Sequence, residues 1–258
     1  MKLLFLLLAL PMFFGCDNGD EKRDDNGIVN IPDINFKGYL IRNSAINING
    51  DLEIQVIEAS TFNDSIDCSS MNISNLKGIE AFTALTQLVC YSNKLTNLDL
   101  SKNTALTTLD CFGNQLKSLD VSKNTALTYL RCYENQLTSL DVSKNSALIY
   151  FKCNANQLTS LDVSQNTALA TLDCGLNKIT SLDVSKNTAL TSLWCAENKL
   201  ISLDVSKNTD LTDLRCYNNQ LSSLDVSKHT LDWLYCDGNQ FDCDALISKY
   251  GIENPDGQ

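Results

Sequence analysis

Histidine is almost absent from this chain: among 258 residues only His229 occurs. That removes Ser-His-Asp and Cys-His nucleophile arrangements unless His229 takes part, and it removes multi-histidine metal sites. No constellation of nucleophile, base and orienter stands out, so the chain reads as a non-enzyme without cofactor or metal. A basic excess is missing too. Twenty lysines and arginines face 31 acidic residues, for a net charge of −11. The electrostatic footprint of a nucleic-acid binder is therefore lacking, and the acidity speaks mainly for solubility. Nor is any apolar run long enough for a bilayer span of about 20 residues.

Cysteine, by contrast, is plentiful and periodic. The pattern L-x-x-L-x-C-x-x-N-x-L-x-x-L-D-V-S-K-N-T-A returns every 21 residues, anchored on Cys90, Cys111, Cys132, Cys153, Cys174, Cys195 and Cys216. Looser copies sit at Cys68 and Cys236. A period in the range of about 20–29 residues with L-x-x-L-x-L-x-x-N at its head is the mark of a leucine-rich-repeat solenoid, here of nine turns. In such a stack neighbouring turns lie about 4.8 Å apart. In-register side chains point the same way, so their Cβ atoms stay farther apart than the roughly 3.5–4.5 Å a disulfide needs. The cysteines are thus expected as a ladder of buried free thiols acting as small hydrophobes. Cys243 lies outside the ladder and is the plausible disulfide partner of Cys236.

Within a repeat, L-x-x-L-x-C predicts a short strand, with Leu109 and Cys111 inward and Asp110 outward by the period of two. Asn93, Asn114 and their counterparts, three residues after each cysteine, are expected to satisfy backbone groups at a tight bend. A 21-residue period leaves no room for a regular helix on the back. The return half barely varies, and its Asp99–Asp225 and Lys102–Lys228 columns read as a solvated face. The outward positions of the front half vary instead. They collect both tryptophans and six of the eight tyrosines. The candidate ligand-binding residues of this strand face are Tyr91, Phe112, Tyr129, Arg131, Tyr133, Tyr150, Lys152, Trp194, Arg215, Tyr217, Trp233 and Tyr235. These are the residue types that dominate interface hot spots. The competing reading is that stacked aromatics merely stabilise cross-strand packing.

The repeats need caps, or the end turns would expose apolar edges. Residues 31–65 are expected to form a helical N-terminal cap, with a helix beginning at Pro32-Asp33 whose apolar side is Ile34, Phe36, Tyr39, Leu40 and Ile41, and a second short helix through Glu58. Between them Asn47, Asn49, Asp51, Glu53 and Glu58 take EF-hand-like spacing, but the aspartate at position 1 and the turn glycine are missing, which argues against calcium. Residues 66–241 form the solenoid. Residues 242–258 end it with a short helix carrying Leu246 and Ile247, closed by Gly251, and a fraying tail.

The N-terminus carries an address. Lys2, the apolar run Leu3–Phe14 and then Gly15-Cys16 read as a secretory signal, too short to span a bilayer. A small residue followed directly by cysteine resembles a bacterial lipoprotein cleavage site, which implies removal of residues 1–15 and lipidation of Cys16. The polar residues 16–30 read as a tether.

The cysteine-anchored 21-residue repeat, over roughly Ile66–Phe241, resembles the repeats of internalin J and its relatives among bacterial surface leucine-rich-repeat proteins. That resemblance implies a surface-displayed right-handed solenoid working in adhesion. No immunoglobulin-like domains and no wall-sorting motif follow the repeats in this sequence, so a lipid anchor is expected in place of wall attachment. The expected protein is an exported lipoprotein of the outer membrane or cell surface of a Gram-negative bacterium. It would be a monomer that recognises a protein or glycan partner, touches the membrane only through its anchor and binds no nucleic acid. The alternative is a structural or accessory component of an envelope complex.

Overall fold

The computed structural model describes residues 27–252. The signal segment, Cys16 and the tail beyond Ile252 lie outside the described residues. Nine three-residue strands form one parallel sheet in chain order: β1 Ser65–Asp67, β2 Gln87–Val89, β3 Thr108–Asp110, β4 Tyr129–Arg131, β5 Tyr150–Lys152, β6 Thr171–Asp173, β7 Ser192–Trp194, β8 Asp213–Arg215 and β9 Trp233–Tyr235. Residues 21 apart pair in register, as with Leu109 and Leu130. The offset is 22 residues between Ser65 and Gln87 and 20 between Asp213 and Trp233. The surrounding turns absorb both irregularities without a slip, since a one-residue slip would turn every core side chain outward. The back of each repeat is a run of tight turns. It carries no helix among the described residues, apart from one 3₁₀ turn at Ile79–Ala81 before the second strand.

The core is one column of side chains running the length of the rod. Cys111, Leu109, Leu116, Val121, Leu106 and their counterparts are almost wholly buried. Eight ladder cysteines, Cys68 to Cys216, are free and buried. Burial pushes the thiols of Cys68 and Cys132 up to about 12, so they stay protonated and inert at neutral pH. The ninth rung differs: Cys236 is bonded to Cys243, with Cα atoms 5.6 Å apart.

Two asparagine columns tie each turn to the one before. At the strand end, Asn156 Nδ2 donates to the carbonyls of Cys132, 3.0 Å away, and Cys153, 3.1 Å away. Its Oδ1 accepts from Leu137 N at 2.9 Å. This is the bend role expected from the sequence. The second column was not anticipated. Asn103, Asn124, Asn145, Asn166, Asn187 and Asn208, from the S-K-N-T-A half, are completely buried. Asn145 Nδ2 donates to Val121 O at 3.0 Å and Asn124 O at 2.9 Å. Their Oδ1 atoms have no donor within the protein. His229 takes the next place in this column and reaches Val205 O at 3.1 Å through Nε2.

Both ends are closed. At the N-terminal end α1 (Ile34–Arg42) is capped by Asp33, whose carboxylate accepts from Asn35 and Phe36 N–H, and α2 (Val56–Thr61) follows. Phe36 and Leu40 are buried, and Tyr39 and Ile41 pack partly against them. Ile34 departs from its expected place on the apolar side: it is 82% exposed. The expected tether also ends earlier than residue 30. Val29 is buried, and Ile28 bridges Gln55 in antiparallel fashion. The Asn47–Glu58 loop is held by its own polar groups. Glu58 accepts from the backbone N–H of Ile48, Asn49 and Gln55. At the other end α3 (Cys243–Tyr250), capped by Asp242 and closed by left-handed Gly251, packs Leu246, Ile247 and Tyr250 against the core. No helix among the described residues is long and apolar enough to cross a membrane.

Candidate binding face

Three columns of side chains stand on the outer face of the sheet, because each strand turns two residues outward and the residue after the cysteine joins them. In-register parallel pairing puts equivalent residues of neighbouring turns side by side. Rings in one column therefore stack. Tyr91, Phe112 and Tyr133 form one stack, with centroids 4.5 and 4.3 Å apart and planes within 8°. Tyr129 and Tyr150 form another at 4.6 Å.

Cations bridge the stacks. The Arg131 guanidinium lies 5.3 Å from the Phe112 centroid and 5.4 Å from that of Tyr129. Lys152 Nζ sits 5.5 Å from Tyr150 and 4.1 Å from Trp194, reaching across β6. Arg215 lies over Trp194 at 4.5 Å and Tyr235 at 5.0 Å. Ten of the twelve candidate residues, from Tyr91 on β2's turn to Tyr235 on β9, thus touch in one strip. Among the described residues no ring or cation is stacked on Tyr217 or Trp233. Eleven are half-buried, and Trp233 is exposed at 44%.

Beneath the cations lies something the sequence did not signal. Asp110, Asp173 and Asp213 face outward as the period requires, yet all three are buried. Asp110 is paired with Arg131 of the next turn. Asp213 accepts from Arg215 Nε at 3.1 Å and from Trp194 Nε1 at 2.8 Å. Asp173 accepts from Gly175 N at 3.2 Å, with Lys152 Nζ 3.9 Å away. Burial raises the Asp110 carboxyl above its ordinary value, and Arg131 only partly opposes this. Burial likewise raises Asp173. Burial disfavours the charge on Arg131, but Asp110 outweighs it and the guanidinium titrates above its usual value. For Asp110 and Asp173 the charge partner lies 21 positions away, and for Asp213 the indole of Trp194 lies 19 away, so single-repeat reading places these carboxylates in water. On β6 the three outward residues, Thr171, Asp173 and Gly175, are all short, leaving a dip in the strip.

The arrangement offers ring edges, hydroxyls and internally neutralised cations on a rigid frame. It holds no nucleophile and base in contact. Among the described residues no group of three or more His, Cys, Asp or Glu is placed to hold a metal ion.

No family model matches the chain. The functional domain of InlJ from Listeria monocytogenes, whose structure includes a cysteine ladder, matches with 39% identity and a TM-score of 0.67 over 84% of this chain and 53% of that one. The chain is a leucine-rich-repeat solenoid similar to that domain. Over 39 residues, 15% of this chain and 4% of the relative, it is 49% identical to Internalin J of L. monocytogenes serotype 4b strain F2365. The chain also matches a leucine-rich-repeat protein of Leptospira interrogans, at 28% identity and a TM-score of 0.65 over 70% of this chain and 51% of that one. An internalin C2 of L. monocytogenes shares the fold alone, at 18% identity and a TM-score of 0.69, covering 81% of this chain and 92% of its own. The chain spans about half the length of the internalin J and Leptospira structures.

Proposed function

We propose that this chain is a bacterial surface protein that captures a partner on the outer face of its sheet, and that Cys16 anchors it by a lipid to the outer membrane or cell surface of a Gram-negative cell. The observation that carries the binding role is the strip itself: aromatic and cationic side chains line seven of eight successive turns, and Lys152 spans the dip at β6 to reach Trp194, on a rigid, in-register frame. A contiguous patch of such residues marks an interaction site, and tyrosine, tryptophan and arginine are the residues that anchor one. The internalin-like solenoid supports a protein partner. A glycan partner would need open ring faces, which Trp233 and Tyr217 supply at the C-terminal end.

The test replaces Tyr129, Tyr133, Tyr150 and Trp233 with serine. Arg131 is kept, because its loss would leave the buried Asp110 carboxylate bare. Capture of cells, cell-wall fractions or a glycan array should fall at least about 30-fold, on a hot-spot loss of about 2 kcal/mol or more at one of these rings. Unchanged capture by a variant with an unaltered melting curve would reject this face.

A second reading, an accessory part of an envelope complex, draws on the Tyr91–Phe112–Tyr133 stack. Rings that spend their faces on one another suit broad docking better than selective capture. Stoichiometric co-purification from membranes would favour it.

A further inference from the structure

The large apolar side chains left in water are unevenly placed. Among the described residues ten are exposed, and six of them, Ile34, Ile48, Leu52, Val56, Ile57 and Met71, lie at the N-terminal end, while Ile149, Leu176, Ile201 and Trp233 are spread along the rod. The cap isoleucines and leucine are no marginal cases: Ile34 is 82% exposed, Leu52 75%, Ile48 72% and Ile57 68%.

Hydrogen bonds and an ion pair hold these residues in one neighbourhood. Ile34 and Lys37 share a face of α1 by their spacing of three. Lys37 Nζ binds both Glu53 oxygens at 2.7 Å, beside Leu52. Ile48 N–H donates to Glu58 at 2.8 Å, one residue from Ile57. Asn49 Nδ2 donates to Gln55 at 2.9 Å, beside Val56. A monomer whose cap served only to cover the first turn would turn such residues inward, as it does with Phe36 and Leu40.

The chain enters the fold at this spot. Gly27 O accepts from Val56 N at 2.7 Å, and Val29 N donates to Ile54 O at 2.8 Å. Ten residues separate Gly27 from Cys16. Fully stretched, that length spans only about 40 Å. A lipid on Cys16 therefore keeps the Val56–Ile57 edge near the bilayer.

We propose that the N-terminal cap rests on the lipid surface, with Ile34, Ile48, Leu52 and Ile57 dipping into the headgroup–acyl boundary, so that the rod is held in a fixed attitude instead of swinging on its tether. The inference rests on the lipid-anchor reading. The lipid holds the chain to the membrane without fixing its orientation, and a second, interfacial contact would fix it. The patch is flanked by Asp51 and Glu53 as well as Lys37, so its contact is apolar and resists salt; attraction to anionic headgroups has no part in it.

The test uses the full chain made in a bacterium and its amide hydrogen exchange with and without phosphatidylcholine vesicles, at low and high salt. The mass of the N-terminal peptide decides acylation of Cys16 separately. On vesicles, exchange over residues 46–58 and 34–37 should slow about tenfold at both salt levels, while β4–β8 are unchanged. The variant Ile48→Ser, Leu52→Ser, Ile57→Ser should lose that protection yet still float with the vesicles through its lipid. An acylated chain that floats while its cap exchanges as fast as in buffer overturns the proposal and leaves the anchor standing. An unacylated chain refutes the anchor. The cap is then decided by the same protection at millimolar lipid: its appearance, and its loss in the triple variant, upholds the contact, and its absence ends it. Cap protection that rises with protein concentration in the absence of lipid would mean a second copy covers the patch, and that too would overturn it.

Discussion

Asn156 sits 9% exposed at the strand end, where its short amide side chain can both donate and accept. Asn156 satisfies three backbone groups in three places, two carbonyls and one amide, all buried. Asn156→Ala leaves the Leu137 N–H without a partner, while the Cys132 and Cys153 carbonyls keep the bonds from Asn135 and Asn177. A loss of about 1–3 kcal/mol in urea unfolding is expected for the one buried unpaired group, and a loss well under about 1 kcal/mol would show that water replaces the amide. His229 offers the reverse case. At the preceding place Asn208 donates to Val184 O and Asn187 O. His229 makes one such bond, and its Nδ1 is buried without a partner. His229→Asn should therefore stabilise by about 1 kcal/mol and raise the melting temperature by roughly 2–4 °C. The strand-end asparagines were legible in the sequence because they sit at the tight bend after each cysteine. The second column hid inside S-K-N-T-A, which has the composition of any exposed turn. Its signal was constancy: at Gln165 the lysine of the motif changes, while Asn166 beside it does not.

At the scale of one turn, the return half shows how a column of like charges survives. Asp141, Asp162 and Asp183 each accept from the N–H of the serine two residues on, at 2.8 Å. That bond is the main cause holding each carboxyl below its ordinary value of 3.8. A lowered folded value means that the folded chain binds fewer protons than the unfolded one. The stabilisation is present above the ordinary value and disappears as pH falls through the folded value. Asp110 and Asp173 work in the opposite sense: their raised values favour the fold as they protonate. The column has seven members of the first kind, so acid should destabilise the rod below about pH 4. In the triple variant Asp141→Asn, Asp162→Asn, Asp183→Asn the amide oxygen keeps the serine bond. Its melting temperature should match the parent at pH 7 or exceed it slightly, as neighbouring carboxylates no longer repel, and should drop less on going to pH 3. An equal drop in both proteins would show that these aspartates do not set the acid limit. Strand positions, the thiol ladder and the aromatic columns follow from periodicities of 2 and 21 and could be read from the sequence. The buried carboxylates could not, because their cover comes largely from neighbouring turns and depends on how far an arginine, lysine or tryptophan leans.

Over the whole rod, each turn packs on its neighbours, with the contact of Lys152 and Trp194 skipping one, so stability is close to a sum of local interfaces and damage stays where it is made. The C-terminal end depends on a single covalent tie. Cys236, the last rung, is bonded to Cys243 at the start of α3, and that helix lays Leu246, Ile247 and Tyr250 over the final turn. The other eight thiols are buried and protonated, so a mild reductant meets one disulfide among the described residues. Reduction frees α3 to leave, and the exposed last turn then opens first. Amide exchange after reduction should speed up in β9 and, to a lesser degree, in β8, while β2–β5 exchange as before. The strip divides along the same line. Its open rings, Trp233 and Tyr217, sit on the two turns that loosen, whereas the stacked rings of β2–β5 keep their frame. Reduction should therefore weaken capture if the partner is held by open ring faces at the C-terminal end, and leave it intact if the stacked half does the holding. Exchange that quickens evenly from β1 to β9 would contradict both the local cap and the nearest-neighbour account of the rod.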